Sequence, residues 1–271
     1  MKPRIIAIIQ ARMGSSRLPG KVMMDIAGQP MLARGSIRCA RATTVDQTLV
    51  ATTTDEADDP IAEYCDFSGI PFTRGSRFDV LDRYYQAALQ AEAGMVVRIT
   101  GDCPVIDPVL IDGVVKEMID GQFDFACNRL PPPWGRTYPI GLDTEVVSFH
   151  NLERAWREAK EPHQREHVMP FFYEDVELTR ANRQLETGVS PRGFKIALLQ
   201  HTTDFGDYRW TVDTPQDMEF IRQVFSHFGG RDDFSWKEIL DLVHDEPKLM
   251  EINAGVKHKT LKDIDHRALK R

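Results

Sequence analysis

No stretch of this 271-residue chain approaches the ~18 consecutive apolar residues that a membrane-spanning helix needs. The apolar run at Ile5–Ile9 is too short for a signal-peptide core and carries no cleavage pattern. Cysteine is scarce: Cys39, Cys65, Cys103 and Cys127 are the four, and no two are spaced as C-x-x-C. That excludes a zinc ribbon or a thioredoxin-like redox pair and points to reduced thiols in the cytoplasm. Positive charge is in deficit, with 34 Lys and Arg against 41 Asp and Glu, a net charge of −7. Such a chain is a poor binder of nucleic-acid polymers or membrane surfaces, so any anionic ligand must meet a local basic cluster. Internal repeats and low-complexity tracts are absent too. What remains is 42% hydrophobic and 28% charged, an ordinary globular composition that excludes a disordered or fibrous chain. At this length roughly three quarters of the unfolded surface can be buried, so the core needs no disulfide or metal.

The first half alternates strand-like and helix-like runs. Ile5–Gln10 is continuously apolar, as a strand buried on both faces of a parallel sheet must be. Further strands are predicted at 47–53, 70–72, 95–100 and 123–128, with helices at 31–42, 59–68, 79–93 and 107–120 between them. Asp79 reads as an N-cap and Gly94 as a stop, while Pro60 and Pro108 suit first helical turns. This rhythm is that of an α/β fold with a doubly wound, mostly parallel sheet. Ligands of such sheets bind at the carboxyl ends of the strands. The rhythm breaks at Leu130, where Pro131-Pro-Pro-Trp-Gly135 begins an irregular segment. We take 130–190 as an insertion, an arm or lid, holding a strand at 145–149 and helices at 151–160 and 164–173. Its apolar groups, Pro131–Trp134 and Phe171–Tyr173, predict a homodimer contact. Strand character returns at 194–199 and 208–212. Thr214, Pro215 and Asp217 then open a capped helix, and a last amphipathic helix covers 235–244. All 271 residues read as a single domain, with 247–271 as a C-terminal tail that is basic from Lys257.

The densest chemistry lies in Gln10-Ala-Arg-Met-Gly-Ser-Ser-Arg-Leu-Pro-Gly-Lys21, directly after the first strand. Gly14 and Gly20 let backbone N–H groups approach an anion, and Arg12, Arg17 and Lys21 supply countercharge. A loop cradling a triphosphate needs these features. It is not a Walker A loop, because five residues rather than four separate the glycines and Val22 stands in place of Ser or Thr. Asp102, in Arg98-Ile-Thr-Gly-Asp-Cys-Pro104, and Asp213, in Trp210-Thr-Val-Asp213, both end strands. Singly each reads equally well as a turn or capping aspartate. Together with the cationic loop they fit Mg²⁺-assisted nucleotide chemistry, since Mg²⁺ favours a few carboxylates plus substrate oxygens. His163-Gln-Arg-Glu-His167 matches the inverted zincin pattern, which would make His163, Glu166 and His167 a zinc hydrolase site. Pro162 places that pattern in a helix's first turn, and a charged helix start is the better reading.

The loop through Val22 resembles the signature of the spore-coat polysaccharide biosynthesis cytidylyltransferase-like family, grouped with the acylneuraminate and 3-deoxy-manno-octulosonate cytidylyltransferases. Asp79-Val-Leu-Asp-Arg-Tyr84, Arg98–Pro104, Gly141-Leu-Asp-Thr-Glu145, Arg165-Glu-His-Val168 and Arg209-Trp-Thr-Val-Asp-Thr-Pro215 resemble it in order, over roughly residues 4–225. The resemblance implies a nucleotide-diphospho-sugar transferase fold with a dimer-forming insertion, and CMP transfer from CTP to an acidic sugar. Arg12 and Lys21 would bind the CTP phosphates. Asp102 and Asp213 would hold Mg²⁺, and these four would be the catalytic set. Gln10, Ala11, Gly14, Ser15, Thr53, Ser76, Arg98 and Gly101 would line the nucleotide site, with Asp143 and Glu145 facing the sugar. A regulatory protein that keeps the fold and binds nucleotide without turnover is the rival reading.

Overall fold

The computed structural model describes residues 2–257. Its strands are β1 (Ile5–Gln10), β2 (Asp25–Ile26), β3 (Gln29–Pro30), β4 (Gln47–Thr53), β5 (Phe72–Gly75), β6 (Met95–Thr100), β7 (Phe125–Cys127), β8 (Glu145–Ser148), β9 (Thr179–Asn182), β10 (Leu185–Val189) and β11 (Lys195–Leu199). The helices are α1 (Met31–Cys39), α2 (Asp59–Phe67), α3 (Val80–Gln90), α4 (Pro108–Asp120), α5 (Phe149–Glu158), α6 (Pro162–His167), α7 (Pro170–Tyr173), α8 (Pro215–His227) and α9 (Trp236–Asp245). Nine strands form one sheet in the order β5-β4-β1-β6-β8-β7-β11-β10-β9, and β2 and β3 make a small hairpin. Strands β8 and β10 run against the other seven, so the sheet is mixed but mostly parallel.

The continuous apolar run of β1 serves both sheet faces. Ile5, Ala7 and Ile9 join Leu32, Val114 and Phe220 of α1, α4 and α8 in one core. Ile6 and Ile8 join Leu81, Tyr84 and Leu152 of α3 and α5 in the other. The alternation follows from the two-residue period of a strand, and helices cover both faces as expected for a doubly wound sheet. No described helix is long and apolar enough to cross a membrane. All four cysteines are free and buried.

Several expected boundaries shift. Strand β5 starts at Phe72 rather than at residue 70 because Pro71 has no N–H to give; its carbonyl instead accepts from Val50 N. The expected strand 208–212 does not form. That segment crosses the carboxyl end of the sheet and pairs only through an isolated bridge between Ile140 and Arg209, with Val212 N donating to Asp102 O. The expected helix 164–173 is two helices, broken between His167 and Pro170 where Val168 takes φ 70°. The β9–β10 hairpin, absent from the sequence reading, continues the sheet past β11. Its outer strand is exposed throughout, so no apolar alternation marks it.

Segment 130–190 does not sit apart from the sheet. Strand β8 lies inside it, antiparallel to β6 and β7. Phe171, Phe172 and Tyr173, which motivated the expected homodimer, are buried in the chain's own core against Phe125 and Phe194. The tail joins the fold at Asn253, which is buried, and at Lys257, whose carbonyl accepts from Arg17 at 3.2 Å. From residue 258 the tail lies outside the described residues.

Candidate active site

The carboxyl ends of β1, β4, β5 and β6 carry the loops that build the site. The loop after β1 is folded on itself: Met13 O accepts from Ser15 N and Gly20 N at 2.9 Å each, and Gly20 takes φ 73°. It is tied down by the buried carboxylate of Asp58, which accepts from Met13 N at 2.6 Å and from the Thr53 hydroxyl. Thr53 is thus fully buried and anchors the loop. Ser15 Oγ accepts from Leu18 N, a contact internal to the loop. After β6, the chain turns at Gly101 against the end of β1, where a Cβ would meet Gln10 O at 2.7 Å. Only glycine lets the two strand ends come this close.

These turns bring Lys21, Asp102 and Asp213 together from three distant parts of the sequence. Lys21 Nζ donates to Asp102 Oδ2 at 3.2 Å, Asp213 Oδ1 at 3.0 Å and Val212 O at 2.6 Å. Burial pushes the Lys21 ammonium down, but the two carboxylates outweigh it and hold its pKa above the ordinary lysine value. Asp213 Oδ2 also meets Arg17 at 2.7 Å and Arg209 at 2.9 Å. Burial would raise this carboxyl; Lys21, then Arg17 and Arg209, hold it well below the usual range. Behind it, Asp217 accepts from Arg209 Nε at 2.9 Å, from the N–H groups of Asp213 and Thr214, and from Asn253 Nδ2. The capping carboxylate of α8 therefore also fixes the backbone of Asp213.

Beside this cluster lies a cavity of about 270 Å³. Gln10, Ala11, Arg12, Arg98 and Asp102 line it, as do six residues not expected in the nucleotide site: Arg77, Phe78, Val80 and Arg83, with Glu166 and His167, which the sequence reading weighed only as zinc ligands. Arg83 is buried in the wall, donates to Ser76 O at 2.6 Å, and burial lowers its pKa to about 10. Arg98 pairs with Glu145 on the neighbouring strand β8. Burial would lower the Arg98 pKa; Glu145 more than offsets this and the value rises. Glu145 is accordingly committed to Arg98, while Asp143 pairs with Arg136 at 2.6 Å. Ser76 Oγ accepts from Asp79 N and shapes the turn before α3. Cys103 is no nucleophile, because burial and then Asp102 push its thiol well above the ordinary value. A larger hollow of about 590 Å³ opens at the amino ends of the strands beside Arg4 and Gln47, away from all these groups.

His163 is engaged by Glu174, whereas Glu166 and His167 line the cavity. Among the described residues no three His, Cys, Asp or Glu side chains cluster as a metal site, and the two histidines of H-x-x-E-H part, His163 to Glu174 and His167 to the cavity. The signals for Arg83, Glu166 and His167 were present in the Asp79–Tyr84 and Arg165–Val168 segments, whereas Arg77 and Phe78 lie outside both. Asn253 had none.

A family model for cytidylyltransferases matches residues 6–239. The chain belongs to the cytidylyltransferase family. Within it, the chain is 31% identical over 248 residues to the spore coat polysaccharide biosynthesis protein SpsF of Bacillus subtilis, covering 90% of this chain and 95% of that one. It is 32% identical over 258 residues to a 3-deoxy-manno-octulosonate cytidylyltransferase of Geobacter metallireducens, covering 83% and 99%. Among solved structures, a cytidylyltransferase of Leptospira borgpetersenii superposes with a TM-score of 0.81 at 28% identity, over 94% of this chain and 99% of that one.

Proposed function

We propose that this cytidylyltransferase moves CMP from CTP onto a sugar acceptor, an acidic one, for surface polysaccharide or glycan synthesis. An acceptor oxygen attacks the α-phosphorus, the bond from that phosphorus to the bridging oxygen breaks, and pyrophosphate leaves with the electron pair. An acceptor hydroxyl loses its proton to solvent; an acceptor oxygen already anionic needs no base. The observation that carries this reading is the cluster of Lys21, Asp102 and Asp213 beside a cavity lined by Arg12, Arg77, Arg83 and Arg98. Four guanidiniums in a chain of net charge −7 suit an anionic substrate.

Asp102 and Asp213 suit Mg²⁺, because both place a carboxylate oxygen within hydrogen-bond reach of one point, the Lys21 ammonium. Hard oxygen ligands around a cationic centre are what Mg²⁺ takes, and bound there it would neutralise charge on phosphoryl oxygens. Arg12 and Lys21 would meet the phosphates, excluding water as they do so.

A pyrophosphate-release screen tests the reading, crossing CTP, UTP, ATP and GTP with acidic sugars and sugar phosphates plus Mg²⁺. Release with CTP and at least one acceptor is the expected result. Release with no pair at all leaves the non-catalytic reading standing.

A further inference from the structure

An ammonium has three N–H bonds, and Lys21 spends all three inside the protein, on Asp102, Asp213 and Val212 O. The proposed function asks for something else, with Lys21 on a phosphate and both carboxylates on a cation. The two arrangements exclude one another. A Mg²⁺ ion sits ~2.1 Å from its ligand oxygens, so bound to both carboxylates it would crowd the Nζ now held about 3 Å from each, and both are cations. We propose that the Lys21 ammonium is the resident placeholder for the divalent ion, keeping free metal off Asp102 and Asp213 until a triphosphate draws it away. This inference rests on the reading of the site as a nucleotidyl-transfer centre.

The neighbours of Asp213 fit an exchange of this kind. Its second oxygen is held by Arg209, which Asp217 locks through Nε at 2.9 Å, and by Arg17. Asp213 therefore stays oriented when Lys21 leaves. Asp102 has no ion pair among the described residues besides Lys21, so it loses its countercharge at that moment. Lys21 itself is a point charge on a flexible stem at the end of the glycine-rich loop, suited to a swing that a forked, locked guanidinium cannot make. Metal alone must evict Lys21 with no new partner for it, and triphosphate alone strands Asp102. Together, each relieves the cost of the other, so the two ligands bind with positive and reciprocal coupling.

The test is Mn²⁺ binding without nucleotide, read from the EPR signal of the free ion. Lys21→Met should bind Mn²⁺ at least tenfold more tightly than wild type, and Asp102→Asn added to it should erase the gain. Equal affinity in wild type and Lys21→Met overturns the proposal. Should Lys21→Met fail to fold, Lys21→Gln removes the charge while keeping a shorter polar side chain with N–H donors. A third readout needs no variant: Mn²⁺ alone should leave the wild-type Tm unchanged, and a rise of several degrees overturns the proposal. Failure of the functional reading looks different, as it is the absence of pyrophosphate release from every nucleotide, whatever the Mn²⁺ affinities are.

Discussion

The guanidinium of Arg165 grips both carboxylate oxygens of Asp79, tying α6 to the N-cap of α3. Arg165 also donates to Trp156 O at 2.7 Å, and the Trp156 indole donates to Asp82. Glu166 and His167, the next two residues, line the cavity opposite the loop after β1. The pair thus places one wall of the site although neither partner lines the cavity.

Arg165→Ala should lower kcat/KM about tenfold or more, because a wall held ~1 Å out of place costs heavily in a positioned reaction. Asp79→Ala should do the same and also lose a helix cap, about 1 kcal/mol. A double-mutant cycle on Tm and denaturant midpoint should give a coupling of about 1–2 kcal/mol. Additive effects of the two variants would contradict a direct pairing.

Asp102→Asn and Asp213→Asn should each cut kcat about 10²-fold with a smaller change in CTP affinity, since charge at the phosphoryl group grows in the transition state. The two should differ in stability. Asp213 is the hub of three cations, so Asp213→Asn should lower Tm, whereas the more exposed Asp102 should lose little. Pyrophosphate release and thermal melts on the same preparations check both, and normal turnover by Asp213→Asn at saturating Mg²⁺ would remove its proposed metal role.

Gly101→Ala should destabilise the fold by about 1–3 kcal/mol, the scale of overpacking. The new methyl would stand 2.7 Å from Gln10 O, a backbone atom that cannot rotate away. Urea unfolding measures the loss, and a variant as stable as wild type would show that the strand ends can part freely.

Asp112 supplies a pH test remote from the site. It accepts from the N–H and hydroxyl groups of both Thr43 and Thr44, joining α4 to the loop after α1. Burial would raise its carboxyl; the Thr44 and Thr43 bonds more than offset this and hold it below the usual value. A depressed folded pKa stabilises fully above the unfolded value, ~3.9, and the contribution fades as pH falls through the folded one. Asp112→Ala should therefore cost about 1 kcal/mol at pH 7, with the gap to wild type closing below about pH 4. A gap that persists unchanged at pH 2 would assign the loss to packing.

Much of this protein was legible in its sequence because the relevant signals are local. A continuous apolar β1, a cationic glycine-rich loop directly after it, and the Thr214–Asp217 capping box each sit within a few residues, where periodicity and capping chemistry act. What the sequence could not reveal depends on contacts between distant segments. The polar β9–β10 hairpin is a strand pair only because β11 offers it an edge. Residues 208–212 have the apolar alternation of a strand, yet the loop at Ile140 and the turn at Asp102 take their hydrogen bonds. The burial of Phe171–Tyr173 and the support of Asp213 by Asn253 were decided in the same way. Chemistry along the chain named Lys21, Asp102 and Asp213, but only tertiary structure could show that the lysine's charge rests between the two aspartates, because ion pairs across 81 and 192 residues leave no local pattern.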